Sequence, residues 1–190
     1  TADFGGGIYN IRNLTISSEK ISENVAGSGG GIYNYGGTLT INSGTISGNS
    51  ATYNGGGIYN YKGTLTISDV TVTANNASEY GGGIRNNEGT VTINGGTVTE
   101  NTAQDGGGIY NDCKIVTINS GTISGNTSKH YGGGIYNNDT LRISGGTISG
   151  NASKHDGGGI YNGNGTLTMT GGTISENTTS DHGGGIYNYD

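Results

Sequence analysis

The amino-acid sequence predicts an all-β fold: a single-stranded parallel β-helix, or β-solenoid, of about seven coils with three short strands per coil. Three observations carry that prediction. First, GGGIYN begins at Gly5 and returns at Gly29, Gly55, Gly106, Gly132, Gly157 and Gly183, with GGGIRN at Gly81, so successive copies start 24 to 26 residues apart. A fixed period of this size marks a chain built from stacked units. Second, each unit holds short runs in which apolar and polar residues alternate, the pattern of a strand. Third, only 29% of the 190 residues are hydrophobic and 42 are glycine. That is too little apolar material for a conventional globule, yet enough for a solenoid, whose coils bury side chains against the coils above and below.

The strands follow in order along the unit. The first is GGGIYN, the second TLTI as at Thr38 to Ile41, and the third GTISGN as at Gly44 to Asn49. Gly, Asn, Ser and Asp lie between them, as turns require. Alternation then assigns four inward columns. They are headed by Ile8, Leu14, Ile16 and Ile21, and they continue through Ile32, Leu39, Ile41 and Ile46 to Ile160, Leu167, Met169 and Ile174. The spacing from the third column to the fourth is constant, and the one-residue deletions fall in the other two turns, where surface loops absorb them. Two asparagine columns, one from Asn10 to Asn188 and one from Asn24 to Asn177, are expected to bond coil to coil, since an amide both donates and accepts. The triple glycine fits a sharp corner with close backbone approach. It lacks the Lys-Ser/Thr and the helix that a phosphate loop needs.

Charge narrows the function. The net charge is −6 and the eight Lys and Arg are scattered, which opposes a nucleic-acid partner, whose binding needs a clustered basic face. No apolar run reaches the ~18 residues of a membrane span, so no membrane insertion is expected within this segment. A single cysteine, Cys113, excludes an internal disulfide framework. It stands where other units have a turn glycine such as Gly36, and is expected to be exposed. No cofactor motif is present. The chain starts and stops on the same strand of the unit, without a cap. It therefore reads as one solenoid domain over residues 1–190, a fragment of or a repeating unit in a longer assembly. Its uncapped end coils are expected to self-associate or to meet neighbouring surface proteins.

GGGIYN followed by TISGNSA resembles the paired GGAI and FxxN-type repeats of bacterial polymorphic outer-membrane proteins and related adhesins. These belong to the right-handed parallel β-helix, or pectin-lyase-like, superfamily. The resemblance covers almost the whole chain. It departs at Ile46 and its equivalents, where the family often has Phe, and the autotransporter barrel is absent. It implies a right-handed helix, an extracellular or cell-surface location, and a non-enzymatic role as stalk, adhesin or fibre subunit.

Outward positions supply the candidate sites. Thr45, Thr71, Thr73, Thr97, Thr99, Thr122, Thr147 and Thr173 make a flat grid with serines along the third strand. Such grids resemble the Thr-x-Thr faces of ice-binding solenoids, so ice is the alternative ligand. Threonine is also a favoured outward strand residue, and serine at four of the six second positions weakens the match. A column of Tyr9, Tyr33, Tyr59, Tyr110, Tyr136, Tyr161 and Tyr187, broken by Arg85, points its rings outward. It either stacks on itself or offers a platform for glycans or a partner. His130, His155 and His182 with Asp156 and Asp181 fall in two neighbouring turn columns and form a candidate set of ligands for Zn²⁺ or another divalent ion. No Ser-His-Asp or paired-acid constellation emerges, so polysaccharide cleavage is a minor alternative and the chain reads as no enzyme.

Overall fold

In the computed structural model, which describes residues 2–189, the chain forms 28 strands and, among the described residues, no helix. The strands make three parallel sheets of 8, 12 and 8 strands, and the chain visits all three once per coil. This is the β-solenoid that the period predicts. Ile32, Ile58 and Ile84 pair in register, and the same column continues through Ile109, Ile135 and Ile160 to Ile186.

The first sheet is built from the Ile-Tyr-Asn strands, from Ile8–Asn10 to Ile186–Asn188. The second and third strands of the unit, expected to be separated by a turn, share the 12-stranded sheet. In two coils they run on as single strands, Thr38–Ser47 and Thr64–Thr73. Gly44, with φ 124°, marks the junction in the first of them, and Val70 stands opposite it in the second. The third sheet comes from residues just after the second asparagine column: Val25–Ser28, Ser50–Asn54, Asn76–Ala77 and their equivalents. The sequence predicts a turn over this stretch, because its strands are too short and its side chains too small to show alternation. Its inward column is Ala26, Ala51, Ala77, Ala103, Ser128 and Ser153, all buried. Small side chains are required here because this face lies close to the triple-glycine corner: a Cβ on Gly30 would come within 2.5 Å of the Ser50 carbonyl oxygen.

The core is a ladder of like residues, uniform in the isoleucine column and mixed Leu/Val, Ile/Met and Ile/Val in the other three. Ile32, Leu39, Ile41 and Ile46 form one layer, and the equivalent residues of the next coils form the layers above it. Six isoleucines of the first column, from Ile32 to Ile160, have no exposed surface. Each such burial stabilises by roughly 1.5–3 kcal/mol.

Three demands meet in the triple glycine. Gly29 has φ 64°, in the left-handed region where a side chain strains the backbone. A Cβ on Gly30 would lie 2.5 Å from the Gly56 oxygen, and one on Gly31 would lie 2.6 Å from the Gly57 oxygen. All three corners stack at hydrogen-bonding distance, as in Gly31 N–H to Gly56 O at 3.0 Å.

Both asparagine columns form continuous ladders. In the first, each Nδ2 donates to the Oδ1 of the next coil, from Asn10 to Asn34 at 2.7 Å through to Asn162 and Asn188 at 2.7 Å. In the second, the side chain and the backbone N–H of Asn49 both donate to Asn75 Oδ1, at 2.9 and 3.0 Å, and Asn49 Nδ2 also reaches the Ile21 carbonyl. Buried amides are thus satisfied by copies of themselves.

Candidate functional site

The tyrosine column is the outward row of the first sheet, and its rings do stack along the solenoid axis. Tyr9 and Tyr33 are 5.4 Å apart and 3° from parallel, and Tyr110 and Tyr136 are 4.5 Å and 6°. Tyr136, Tyr161 and Tyr187 continue at 4.9 and 5.3 Å. Tyr33 and Tyr59 instead meet edge to face at 5.0 Å. The expectation of an exposed platform needs correction. Tyr33, Tyr59 and Tyr110 are buried, Tyr136, Tyr161 and Tyr187 are half-buried, and only Tyr9 is half exposed.

The cover comes from a flanking column that ends the third sheet. Tyr80 packs on Tyr110 at 4.7 Å and Tyr131 on Tyr161 at 4.8 Å. On the other side, Asn87 Nδ2 donates to the Tyr59 hydroxyl at 3.3 Å. The ring faces are therefore mostly occupied by one another and by neighbours. Burial, followed by the neighbouring rings, pushes the Tyr33 phenol above its ordinary range. Burial acts likewise on Tyr110, together with Tyr136 and Asp112. Tyr136 is pushed up to about 12, again chiefly by burial.

Arg85 does not leave a gap in this column. Its guanidinium lies 5.6, 4.8 and 5.2 Å from the Tyr59, Tyr80 and Tyr110 rings. It donates to Asp112 at 3.0 Å and to Asn54 Oδ1 at 2.6 Å. A planar cation over aromatic faces substitutes for the missing ring.

The threonines Thr45, Thr71, Thr97, Thr122, Thr147 and Thr173 pair in register on the 12-stranded sheet, with Thr73 and Thr99 in the second rank. Neighbouring hydroxyls touch in places, as Thr99 and Ser124 do at 3.4 Å. From Thr45 to Ser175 the two ranks carry no charged residue.

The five metal-ligand candidates share one corner, beside the tyrosine column, and they pair crosswise. His155 Nδ1 meets Asp181 at 2.9 Å, and His182 Nδ1 meets Asp156 at 2.9 Å. His130 Nδ1 lies 3.9 Å from Asp105, which the sequence reading had not included. Asp105 was recoverable from register, because its column continues through Tyr131 to Asp156 and His182. Burial lifts the Asp105 carboxyl above its ordinary value, against the Tyr131 N–H bond and the two nearby histidines. Among the described residues, no three His, Cys, Asp or Glu gather around one ion position.

Cys113, expected at the surface, is half-buried. Burial first, then Asp112, Asp139 and Glu88, raises its thiol pKa, which disfavours the reactive thiolate. Three open depressions, of about 440, 200 and 370 Å³, lie beside Arg12, Arg142 and Asn164, and no Asp or Glu lines any of them.

Comparison with known families finds one similarity. Residues 43–61, 120–138 and 171–189 match the Chlamydia polymorphic membrane protein repeat. The three stretches make up under a third of the chain, and each spans the same part of the unit: third strand, second asparagine, third sheet, triple glycine and tyrosine strand. No curated protein and no solved structure matches. The right-handed pectin-lyase-like assignment therefore rests on the sequence resemblance alone. No helix among the described residues is long and apolar enough to cross a membrane, which says nothing of strands.

Proposed function

We propose that the chain is a rigid, non-enzymatic segment of a surface-displayed microbial protein, acting as a stalk or an adhesive face. The observation that supports this most directly is the place of the family match: the three matched stretches hold the corner, the second asparagine ladder and the tyrosine strand. These are the parts that tie each coil to the next and that stack the tyrosine column along the outer side of the first sheet. The matched repeat is named for a membrane protein, and a solenoid of repeated coils suits projection from a surface.

The reading is tested by displaying the chain on a bacterial surface and measuring adherence of those cells to cultured epithelium. Adherence above that of cells displaying a Gly30→Val chain, which cannot close its coils, supports an adhesive face. Folded display without added adherence removes the adhesive role and retains the stalk.

Ice is a second reading, favoured by the uncharged, registered threonine ranks on the 12-stranded sheet. Glycan stacking is favoured less, because a sugar ring needs an open aromatic face, and the inner rungs of the tyrosine column have theirs covered.

A further inference from the structure

All three histidines of the chain lie on one corner of the solenoid, and each points its Nδ1 at a carboxylate one coil away. A histidine that binds a metal through one ring nitrogen usually has its other nitrogen held by a carboxylate, which fixes the tautomer and raises ligand basicity. The corner is built on that pattern. It is complete at His155, whose Nδ1 meets Asp181 at 2.9 Å, while Asp105 faces His130 Nδ1 at 3.9 Å, an ion-pair distance and not a hydrogen bond; the Nε2 of each ring is left for an ion.

His130 and His155 are also neighbours. They occupy one column on adjacent coils, with the His155 N–H donating to the His130 carbonyl at 2.8 Å. Their ring centroids are 5.8 Å apart. Zinc–nitrogen bonds of ~2.0–2.1 Å in tetrahedral geometry place two imidazole centroids about 5 Å apart, so modest rotation of these half-exposed side chains brings both Nε2 atoms to one ion.

We propose that His130 and His155 form a two-histidine site for an imidazole-seeking divalent transition ion such as Zn²⁺, with Asp181 and Asp105 as positioning residues and water completing the shell. Only two protein ligands are involved, which agrees with the lack of any larger cluster among the described residues. The acids leave the ligand set and become its orienting partners. His182 pairs with Asp156 but stands in the next column, 6.0 Å from the Tyr187 ring, and takes no part. Imidazole suits Zn²⁺, Cu²⁺ and Ni²⁺, whereas Mg²⁺ and Ca²⁺ prefer oxygen. The site is independent of the adhesive reading.

The test is calorimetric titration of the full chain with Zn²⁺ at neutral pH, each variant being checked for native circular dichroism. One ion per chain is expected, with no comparable uptake of Mg²⁺. His130→Gln and His155→Gln should each weaken binding at least tenfold. Asp181→Asn should weaken it by roughly tenfold to a hundredfold while the site still binds, and His182→Gln should leave it unchanged. X-ray absorption of the loaded protein should show two imidazoles in the zinc shell. No binding, binding that survives loss of both His130 and His155, equal loss on His182→Gln, or a shell of carboxylates alone would each overturn the proposal.

Discussion

Arg85 Nη2 donates to the Asp112 carboxylate at 3.0 Å, one coil further along the axis. Arg85 is 8% exposed, with its guanidinium among three tyrosine rings, so the pair works with less solvent screening than a surface bridge. Arg85→Ala removes the ion pair, the bond to Asn54 and the ring contacts, and is expected to cost about 2–4 kcal/mol in urea unfolding. Arg85→Tyr should lose less, because a ring continues the stack and the Arg85 Nε, which has no hydrogen-bond partner, disappears with it. Arg85→Lys should fall nearer to Ala, since an ammonium cannot lie flat over the rings or fork to two acceptors.

The asparagine ladders make a sharper prediction. Asn60 accepts from Asn34 at 2.8 Å, donates to Asn86 at 2.9 Å and donates to the Gly63 carbonyl at 3.0 Å, with no exposure. Asn60→Ala leaves buried partners unmet on both sides and should cost about 3–4 kcal/mol. Asn60→Asp should cost at least as much, because the carboxylate is buried and has no donor to give Asn86. Chemical denaturation of the two variants at neutral pH checks the order.

What the sequence showed and what it hid follow from the size of the signal. Ile32, Leu39, Ile41 and Ile46 were legible because large apolar residues alternate with polar ones and repeat in every unit. The third sheet was hidden because its strands are as short as Asn76–Ala77 and its inward residues are Ala and Ser, which carry little hydrophobic contrast. Ala or Ser two places after each second-ladder asparagine from Asn24 to Asn151 is the available clue: Ala51 after Asn49, Ala77 after Asn75. The tyrosine column was legible as a column, but its burial was not. Tyr80 and Tyr131, which cover it, stand just before the triple glycine, and other coils have Asn54, Asp105 or Asp156 at that place, so no aromatic column announces the cover. The His and Asp residues were placed in the right columns by counting, while the crosswise pairing of His155 with Asp181 and of His182 with Asp156 needed side-chain geometry.

Glycines in this chain differ in what they hold up. Gly48 has φ 64° but space around it, since an added Cβ would meet only Glu23 Cγ, at 3.7 Å. Its column holds Ala74 and Glu100 in other coils, with φ 52° and 55°, so side chains are tolerated there at a cost. Gly48→Ala should therefore lose about 1 kcal/mol, and Ala74→Gly should gain a similar or smaller amount. Gly30→Ala meets backbone oxygens of two neighbouring segments and should prevent cooperative folding. Thermal melts of the three variants distinguish backbone strain from backbone collision.

The threonine ranks give a prediction with a direct readout. If the registered grid organises ice, Thr97→Tyr in its middle should abolish thermal hysteresis and ice-crystal shaping while leaving the melting curve of the protein nearly unchanged. Thr97 is half-buried on the outer face, so the larger side chain disturbs the face and not the core. Wild-type protein that neither shapes crystals nor lowers their growth temperature removes ice from the readings.

Alkaline pH probes the tyrosine column. Phenols in the unfolded chain ionise near pH 10, whereas Tyr136 in the fold keeps its proton to about 12 and Tyr33 and Tyr110 are raised as well. Between those values the unfolded chain binds fewer protons than the folded one, so stability falls as pH rises. The contribution is fully present below pH 10 and is lost on passing through the folded-state values. Because Tyr136 is only partly buried, solvent screening reduces the loss from this residue alone to about 1 kcal/mol or less. Absorbance titration of the native protein should show a late phase from Tyr33, Tyr110 and Tyr136 that coincides with unfolding. Tyr136→Phe, which keeps a ring between Tyr110 and Tyr161, should flatten the alkaline decline and leave neutral-pH stability close to wild type. Simultaneous titration of every tyrosine near pH 10 with the fold intact would show that the rings stand in water, contrary to the packing of Tyr80 and Tyr131 over them.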